Sequence, residues 1–336
     1  MSPAVLILHN LPSEEPLFRE TCGASDAGVL HAVRHVAGAL AGLQVPHRVA
    51  GVRRLAEIPG TLATGDEPVV FNLVERLDGG ASDGNYVPAV CRALGRACTG
   101  GATDSLVLTL DKDLARARLA AHGIRVPPGV VVPMGEAPPA TLPDGPLFVK
   151  PLSSDGSEGI DAGSLVRDKR TQLAAAVVRV HRQSGQHALV EAFIEGREFN
   201  LSVMERAGEI VPLPVSEIDF SLFPPGRPHF VDYSVKWTPG AIAGQVSPRR
   251  VPALVDAATA ARLQALAGRA WRACGCQDYA RIDTRMDVAG NMYVLDVNIN
   301  CDLSPLAGLP AALTAAGVPF EAFVAQMIEN AISRRQ

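Results

Sequence analysis

The chain reads as α/β, built in three successive units. Short apolar runs of strand length recur along it, among them Val5-Leu-Ile-Leu8, Pro68-Val-Val-Phe-Asn72 and Gly145-Pro-Leu-Phe-Val-Lys150. Segments with helical spacing lie between such runs, as at Val29, Val33, Val36 and Leu40. The length of 336 residues, 47% of them hydrophobic and 20% charged, allows two or three separately buried cores.

The first unit, 1–102, opens on the strand at Val5 and continues into a helix over 26–43. The strand at Pro68 follows, then a turn-rich stretch from Gly79 to Gly84 and a helix over 86–94. No GxGxxG stands at the first strand–helix junction, which argues against a dinucleotide site there. The second unit, 103–186, starts with a charged helix over 111–121, stopped by Gly123 and by Pro127-Pro128 beyond it. Proline-rich 133–146 is a surface connection. The strand ending at Lys150 leads into Pro151-Leu-Ser-Ser-Asp-Gly-Ser-Glu-Gly-Ile160, a small-residue loop, and a helix covers 169–183. The third unit, 187–336, begins with an apolar strand ending in Glu191, turns at Glu195-Gly196 and closes with a helix over 320–333.

Composition removes several functions. A net charge of −4 and a pI near 6.1 leave no basic footprint for nucleic acid, and aromatics at 5% offer little for base stacking. The start lacks a signal peptide and no apolar run reaches membrane-spanning length, so a cytoplasmic protein without a membrane partner is expected. Six cysteines form no CxxC pair, which fits reduced thiols.

The most informative stretch is Tyr279-Ala-Arg-Ile-Asp-Thr-Arg-Met286, the turn Asp287-Val-Ala-Gly-Asn291, and Met292-Tyr-Val-Leu-Asp-Val-Asn-Ile-Asn300. Ala280, Ile282 and Thr284 alternate with Arg281, Asp283 and Arg285. Tyr293, Leu295, Val297 and Ile299 are expected on one face of the returning strand, with Asp296, Asn298 and Asn300 on the other. Folding about Ala289-Gly290 sets Asp283 opposite Asp296 and Arg281 opposite Asn298. Facing carboxylates repel unless a divalent cation lies between them. Two Asp and an Asn amide oxygen suit Mg²⁺ rather than zinc. The competing reading is the solvated face of an edge hairpin, but such faces usually mix in Lys, Glu and Thr.

Lys150 opens the Gly/Ser loop, whose backbone N–H groups can cradle phosphate oxygens. The spacing is not that of a P-loop, so a plain surface hairpin stays open, as does a solvated Lys112. Glu198 alternates with Phe199 and Leu201, and a buried-strand acid needs a partner, either a ribose diol or an arginine.

Asp-Lys, Val-Lys-Pro with its loop, Val-Glu-x-Phe-Ile-x-Gly-x-Glu-Phe, Asp-Tyr-x-x-Lys, Tyr-x-Arg-x-Asp and Asp-Val-Asn-x-Asn occur here in that order. Together they resemble the ATP-grasp superfamily, and most of all its D-alanine–D-alanine ligase branch, over nearly the whole chain. The resemblance implies a three-domain ATP-grasp fold: a Rossmann-like N-terminal domain, a central α+β domain and a C-terminal α+β domain. ATP would be gripped between the last two. Lys112 and Lys150 would contact its phosphates, Glu191, Ala192, Phe193 and Ile194 would form the adenine hinge, and Glu198 would bind the ribose. Lys236 would reach the phosphates from a mobile loop over 220–245. Asp283, Asp296 and Asn298 would hold two Mg²⁺ ions, with Mn²⁺ as an alternative. Ser157 would close over the γ-phosphate, and Arg281 would stabilise the transferred phosphoryl group. The implied activity is ATP-dependent joining of a small-molecule carboxylate to an amine through an acyl phosphate, releasing ADP and phosphate. A phosphotransferase that forms no amide is the alternative, and a homodimer is left open.

On the amino-acid side the residues depart from the branch. Asp302 stands where a glycine is usual, after Asn300. Ala307-Gly308 replace a Ser-Leu pair that holds the acceptor carboxylate, Glu75 replaces a histidine, and Glu14 or Glu15 would have to bind the substrate amine. Asp302 therefore predicts an amino-acid or peptide substrate other than D-alanine, unless it turns away to pair with an arginine such as Arg285.

Overall fold

The computed structural model describes residues 3–14, 16–78, 82–238 and 248–335. Its first sheet takes β1 (Val5–Asn10), helix α1 (Pro16–Gly42), β2 (His47–Val52), α2 (Ile58–Ala63), β3 (Val69–Leu73), α3 (Val87–Ala93) and β4 (Ala97–Cys98). The strands are parallel in the order β2-β1-β3-β4. Parallel strands are covered on both faces. Val5, Ile7, Val69 and Phe71 pack under α1, whereas Leu6, Leu8 and Val70 pack on Ile58, Leu62 and Val87 from α2 and α3. Helix α1 begins ten residues before the expected start, and β2, α2 and β4 have no counterpart in the sequence reading.

Helices α4 (Thr103–Leu110) and α5 (Lys112–Ala121) come next. The second sheet holds β5 (Gly129–Val132), β6 (Leu147–Pro151) and β7 (Leu165–Val166), then α6 (Lys169–Ser184) and β8 (Ala188–Ala192), in the antiparallel order β5-β8-β6-β7. Leu173, Val177 and Val180 of α6 cover Leu147, Val149 and Val190. The 133–146 segment has no helix or strand and is largely exposed, as its prolines require.

The third sheet contains β9 (Arg197–Arg206), β10 (Glu209–Pro212), β11 (Ser216–Ile218), α7 (Tyr233–Trp237), β12 (Arg249–Arg250), α8 (Ala257–Cys274), β13 (Tyr279–Met286) and β14 (Met292–Asn298). Its order is β12-β11-β9-β13-β14, with β10 also on β9. Helix α8 lays Leu263, Leu266, Ala270 and Trp271 on Phe199, Leu201, Ile282 and Val297, and each buried Leu, Ile, Val or Phe among them contributes about 1.5–3 kcal/mol. Leu106 of α4 and Leu119 of α5 share this core, so the two helices at the start of the second unit pack on the third sheet. Finally α9 (Gly308–Ala315) and α10 (Phe320–Arg335) return to the first sheet, where Leu309, Leu313, Phe323, Val324 and Met327 complete its core. Among the described residues no single helix is long and apolar enough to cross a membrane.

The hairpin register is partly as expected. Arg281 pairs with Asn298, Ile282 with Val297 and Asp283 with Asp296. Between Asp283 and Thr284 the register then shifts, so that Thr284 pairs with Val294 and Met286 with Met292. Leu295 is the extra residue of a β-bulge, which resets the period-2 phase. The buried residues of β14 are therefore Met292, Val294 and Val297. This corrects the expectation that Tyr293 and Leu295 share the core face: Leu295 instead lines the cleft beside Asp296.

Candidate active site

A cleft of about 610 Å³ lies between the second and third sheets. Lys112, Lys150, Ser157, Glu191, Ala192, Phe193, Ile194, Glu198, Lys236, Arg281, Asp283, Asp296, Asn298 and Asp302 all line it. A smaller cavity of about 130 Å³ shares Lys236, Arg281, Asn298 and Asp302 with it and adds Glu75 and Asn300. Glu15 and positions 239–245 of the expected mobile loop lie outside the described residues.

Local structure places each group. Asp111 caps α5 by accepting from the N–H groups of Asp113 and Leu114, which turns Lys112 inward at the first helical position. Buried Lys112 donates to the Ser154 carbonyl at 2.6 Å and sits 3.6 Å from Asp296 Oδ2. Lys150, at the end of β6, pairs with Glu191 on neighbouring β8 at 2.7 Å. Lys112 is thus no solvated helix residue. Glu191 Oε2 is buried with no hydrogen-bond partner among the described residues. The turn to β9 needs Gly196, whose φ is 142° and whose Cβ would meet the Met286 carbonyl oxygen at 2.1 Å. Beyond it, Glu198 Oε2 lies 3.6 Å from Arg285 Nη1, the arginine partner that the sequence leaves open. Arg285 stacks over Phe193 and Phe220, with centroid distances of 4.6 and 5.6 Å. Phe148 and Phe230 meet edge to face at 5.0 Å in the same wall.

At the metal-type face, Arg281 grips Asp283 with two parallel bonds of 2.7 and 2.8 Å. Asn200 donates to Asp283 Oδ1 at 2.7 Å and Asn298 to Oδ2 at 3.2 Å. Burial would lift the Asp283 carboxyl, but Arg281 overrides it and holds the group below the usual carboxylate range. Burial pushes the Asp296 carboxyl up, with Lys112 pulling the other way and Asp155 adding repulsion. Two carboxylates and an amide side chain line this face of the hairpin, the amide nitrogen being the atom turned toward Asp283. This donor set fits a hard divalent cation.

Asp232 caps α7 by accepting from Val235 N–H at 2.9 Å, and Arg227 braces it at 2.9 Å. That cap aims Lys236 and Trp237 into the cleft. Trp237 Nε1 donates to the Gly156 carbonyl at 2.7 Å. A Cβ at Gly28 of α1 would lie 2.9 Å from the indole, so the ring is seated against α1. Ser157 takes a left-handed φ of 63° and donates to the Val231 carbonyl at 3.1 Å. Lys236 is pulled below its ordinary pKa by burial and by Arg281.

Asp302 does not pair with Arg285, which belongs to the Glu198 end of the cleft. It accepts from the Ser304 N–H at 2.7 Å and the Ser304 hydroxyl at 2.9 Å, an Asx turn closed on itself. Asn300 donates to the Val74 carbonyl at 3.0 Å and accepts from Tyr279 at 3.0 Å. Glu75 remains exposed as a residue, yet desolvation by the cavity walls and the charge of Asp302 lift its carboxyl to about 8. Phe148, Asn200, Phe230 and Arg249 line the cleft without any motif marking them. Arg285 has a signal, since it shares the period-2 face of Arg281 and Asp283.

The fold is that of solved D-alanine–D-alanine ligases. The Bacillus anthracis enzyme complexed with ATP superposes with a TM-score of 0.76 at 18% identity, covering 99% of this chain and 98% of that one. The Coxiella burnetii ligase gives 0.73 at 17% identity, covering 100% and 95%. The class of protein is therefore a three-domain ATP-grasp fold. The family model described as D-ala D-ala ligase C-terminus matches residues 142–329. A D-alanine–D-alanine ligase of Synechococcus sp. (strain JA-3-3Ab) is 31% identical over 264 residues, 77% of this chain and 75% of that protein. D-alanine–D-alanine ligase A of Mesorhizobium japonicum is 32% identical over 234 residues, 68% of this chain and 61% of that protein. The chain belongs to the D-alanine–D-alanine ligase family.

Proposed function

We propose that the protein is an ATP-dependent, ADP-forming carboxylate–amine ligase, with D-alanine the first candidate for both substrates. One observation carries this reading: Lys112, Lys150, Arg281, Asp283, Asp296 and Asn298 meet in a single cleft. The names of the relatives favour D-alanine. The Asx turn at Asp302 leaves its carboxylate charged in the cleft, which keeps a substrate other than D-alanine as the second candidate.

Lys112 and Lys150 would receive phosphate oxygens. Residues 191–194 would face adenine, and Glu198 the ribose. Glu191 Oε2 and Arg285 Nε, both buried without a partner, fit a polar heterocycle and its sugar. Asp283, Asp296 and Asn298 would hold Mg²⁺ or Mn²⁺, which when bound neutralises charge on the transferring phosphoryl group. Arg281 and Lys236 add positive charge where the substrate carboxylate attacks the γ-phosphate. Ser157 and Trp237 would help shut out water, which destroys an acyl phosphate. The amine then attacks the acyl carbon and phosphate leaves.

Nucleotide analysis by chromatography during turnover with D-alanine tests this. ADP, phosphate and a dipeptide are expected in equal amounts. AMP with pyrophosphate would refute the acyl-phosphate route. ADP formation with a phosphorylated small molecule and no amide would establish the phosphotransferase instead.

A further inference from the structure

The cleft cations are not partnered alike. Lys112, Lys150, Arg281 and Arg285 each stand within ion-pair distance of a carboxylate, at 3.6, 2.7, 2.7 and 3.6 Å. Arg249, like Lys236 of the same cleft, has no such pair among the described residues. Its one hydrogen bond runs from Nη1 to the Leu306 carbonyl at 3.1 Å, and its Nε is buried with no partner.

Its position is informative. A Cβ on Gly308 would lie 3.4 Å from Arg281 Cδ and 3.6 Å from Arg249 Cζ and Nη2. The two guanidinium side chains therefore flank the first residue of α9, whose N-cap residue Ala307 provides no side-chain cap. Like charges crowded beside free helix N–H groups are unfavourable for the protein alone and favourable once an anion arrives. Arg281 is already committed to Asp283 by two bonds, so Arg249 is the group with bonding capacity left. Asp302, the nearby acid, is satisfied by Ser304.

We propose that Arg249 is a specificity-determining residue whose guanidinium binds the carboxylate of the amine-bearing substrate, beside the start of α9. This rests on the ligase reading of the cleft. It makes the second substrate an amino acid or a peptide with a free carboxylate, and it disfavours simple amines and amides. Arginine suits the task because its planar fork matches a carboxylate with two bonds, which lysine cannot do.

Steady-state assays with D-alanine and with D-alaninamide as the amine substrate test this on the full chain. The wild type should prefer D-alanine. Arg249→Gln should raise KM for the amine substrate by about 10- to 100-fold, leave KM for ATP unchanged and erase the preference over the amide. Arg249→Lys, which keeps the charge and guards against a folding artefact, should recover part of it. Preference for the carboxylate undiminished in Arg249→Gln would overturn the proposal and leave the ligase reading intact. If the wild type joins no amino acids, the ligase reading fails separately. Thermal shifts with D-alanine against D-alaninamide, with a non-hydrolysable ATP analogue present, then decide the role of Arg249. A carboxylate-dependent shift lost in Arg249→Gln supports the proposal; equal shifts in both proteins overturn it.

Discussion

Asp283 and Asp296 face each other across one hairpin, yet their surroundings differ. Asp283 is locked to Arg281 and to two amide groups, whereas among the described residues Asp296 accepts only the Val297 N–H at 3.1 Å and lies 3.6 Å from Lys112. Asp283→Asn leaves a half-buried guanidinium uncompensated and should cost about 1–3 kcal/mol of stability besides activity. Asp296→Asn relieves a carboxylate that burial already disfavours but takes from buried Lys112 its ion pair, so its stability should change less than that of Asp283→Asn while turnover falls roughly 10²-fold or more. Denaturant titration and initial rates on the two variants check both; equal stability losses or unchanged Asp296→Asn turnover would refute the asymmetry. Glu75 offers a pH test. Its carboxyl is lifted to about 8 in the fold and returns to the ordinary carboxylate range on unfolding. Between those values the unfolded chain binds fewer protons, so stability declines as pH rises toward 8 and levels off above it. Solvent contact at Glu75 damps the effect. The melting temperature of Glu75→Gln relative to wild type should thus grow from pH 5 to pH 8; a constant gap counts against the shift. Most of these site residues were legible because motif spacing and strand alternation are local properties. Arg249 was not, because nothing within its own strand records that Gly308 and Arg281 arrive beside it.

Among the elements, the hairpin shows where pattern reading stops. The spacing of Arg281, Asp283, Asp296 and Asn298 predicts their pairing, but the bulge at Leu295 depends on how the second strand twists. Its trace is the three-residue gap between Val294 and Val297 in an otherwise alternating run. Helix α8 was not assigned from the sequence, although its signals are local. Asp256 caps the start, Gly275 takes the left-handed stop, and Leu263, Leu266, Ala267, Ala270 and Trp271 follow helical spacing. Helix α7 and its contact with α1 were beyond reach, being set by the fit of Trp237 against Gly28. Gly28→Ala should push the indole away and weaken ATP binding about tenfold. Tryptophan emission in a Trp271→Phe background reads the displacement, and an unshifted spectrum with unchanged affinity would rule it out.

Across the whole molecule, one ion pair ties distant segments together. Asp278, fully buried, accepts from Gly100 N–H at 2.6 Å and pairs with Arg334 of the last helix at 2.5 Å. Arg334→Met strands that carboxylate and should lower stability by on the order of 3 kcal/mol. Chemical denaturation measures this, and a loss below about 1 kcal/mol would show the clamp to be dispensable.

The sharing of one core by the first sheet and α10 has a consequence for biosynthesis. Val5, Ile7 and Phe71 are synthesised well before Phe323, Val324 and Met327, the side chains that complete their packing. A growing chain therefore carries an unfinished apolar surface while the segments between them are made. That interval is when aggregation competes with folding and when a chaperone has something to hold. The shape of the finished protein thus makes its newborn chain most vulnerable at the first sheet.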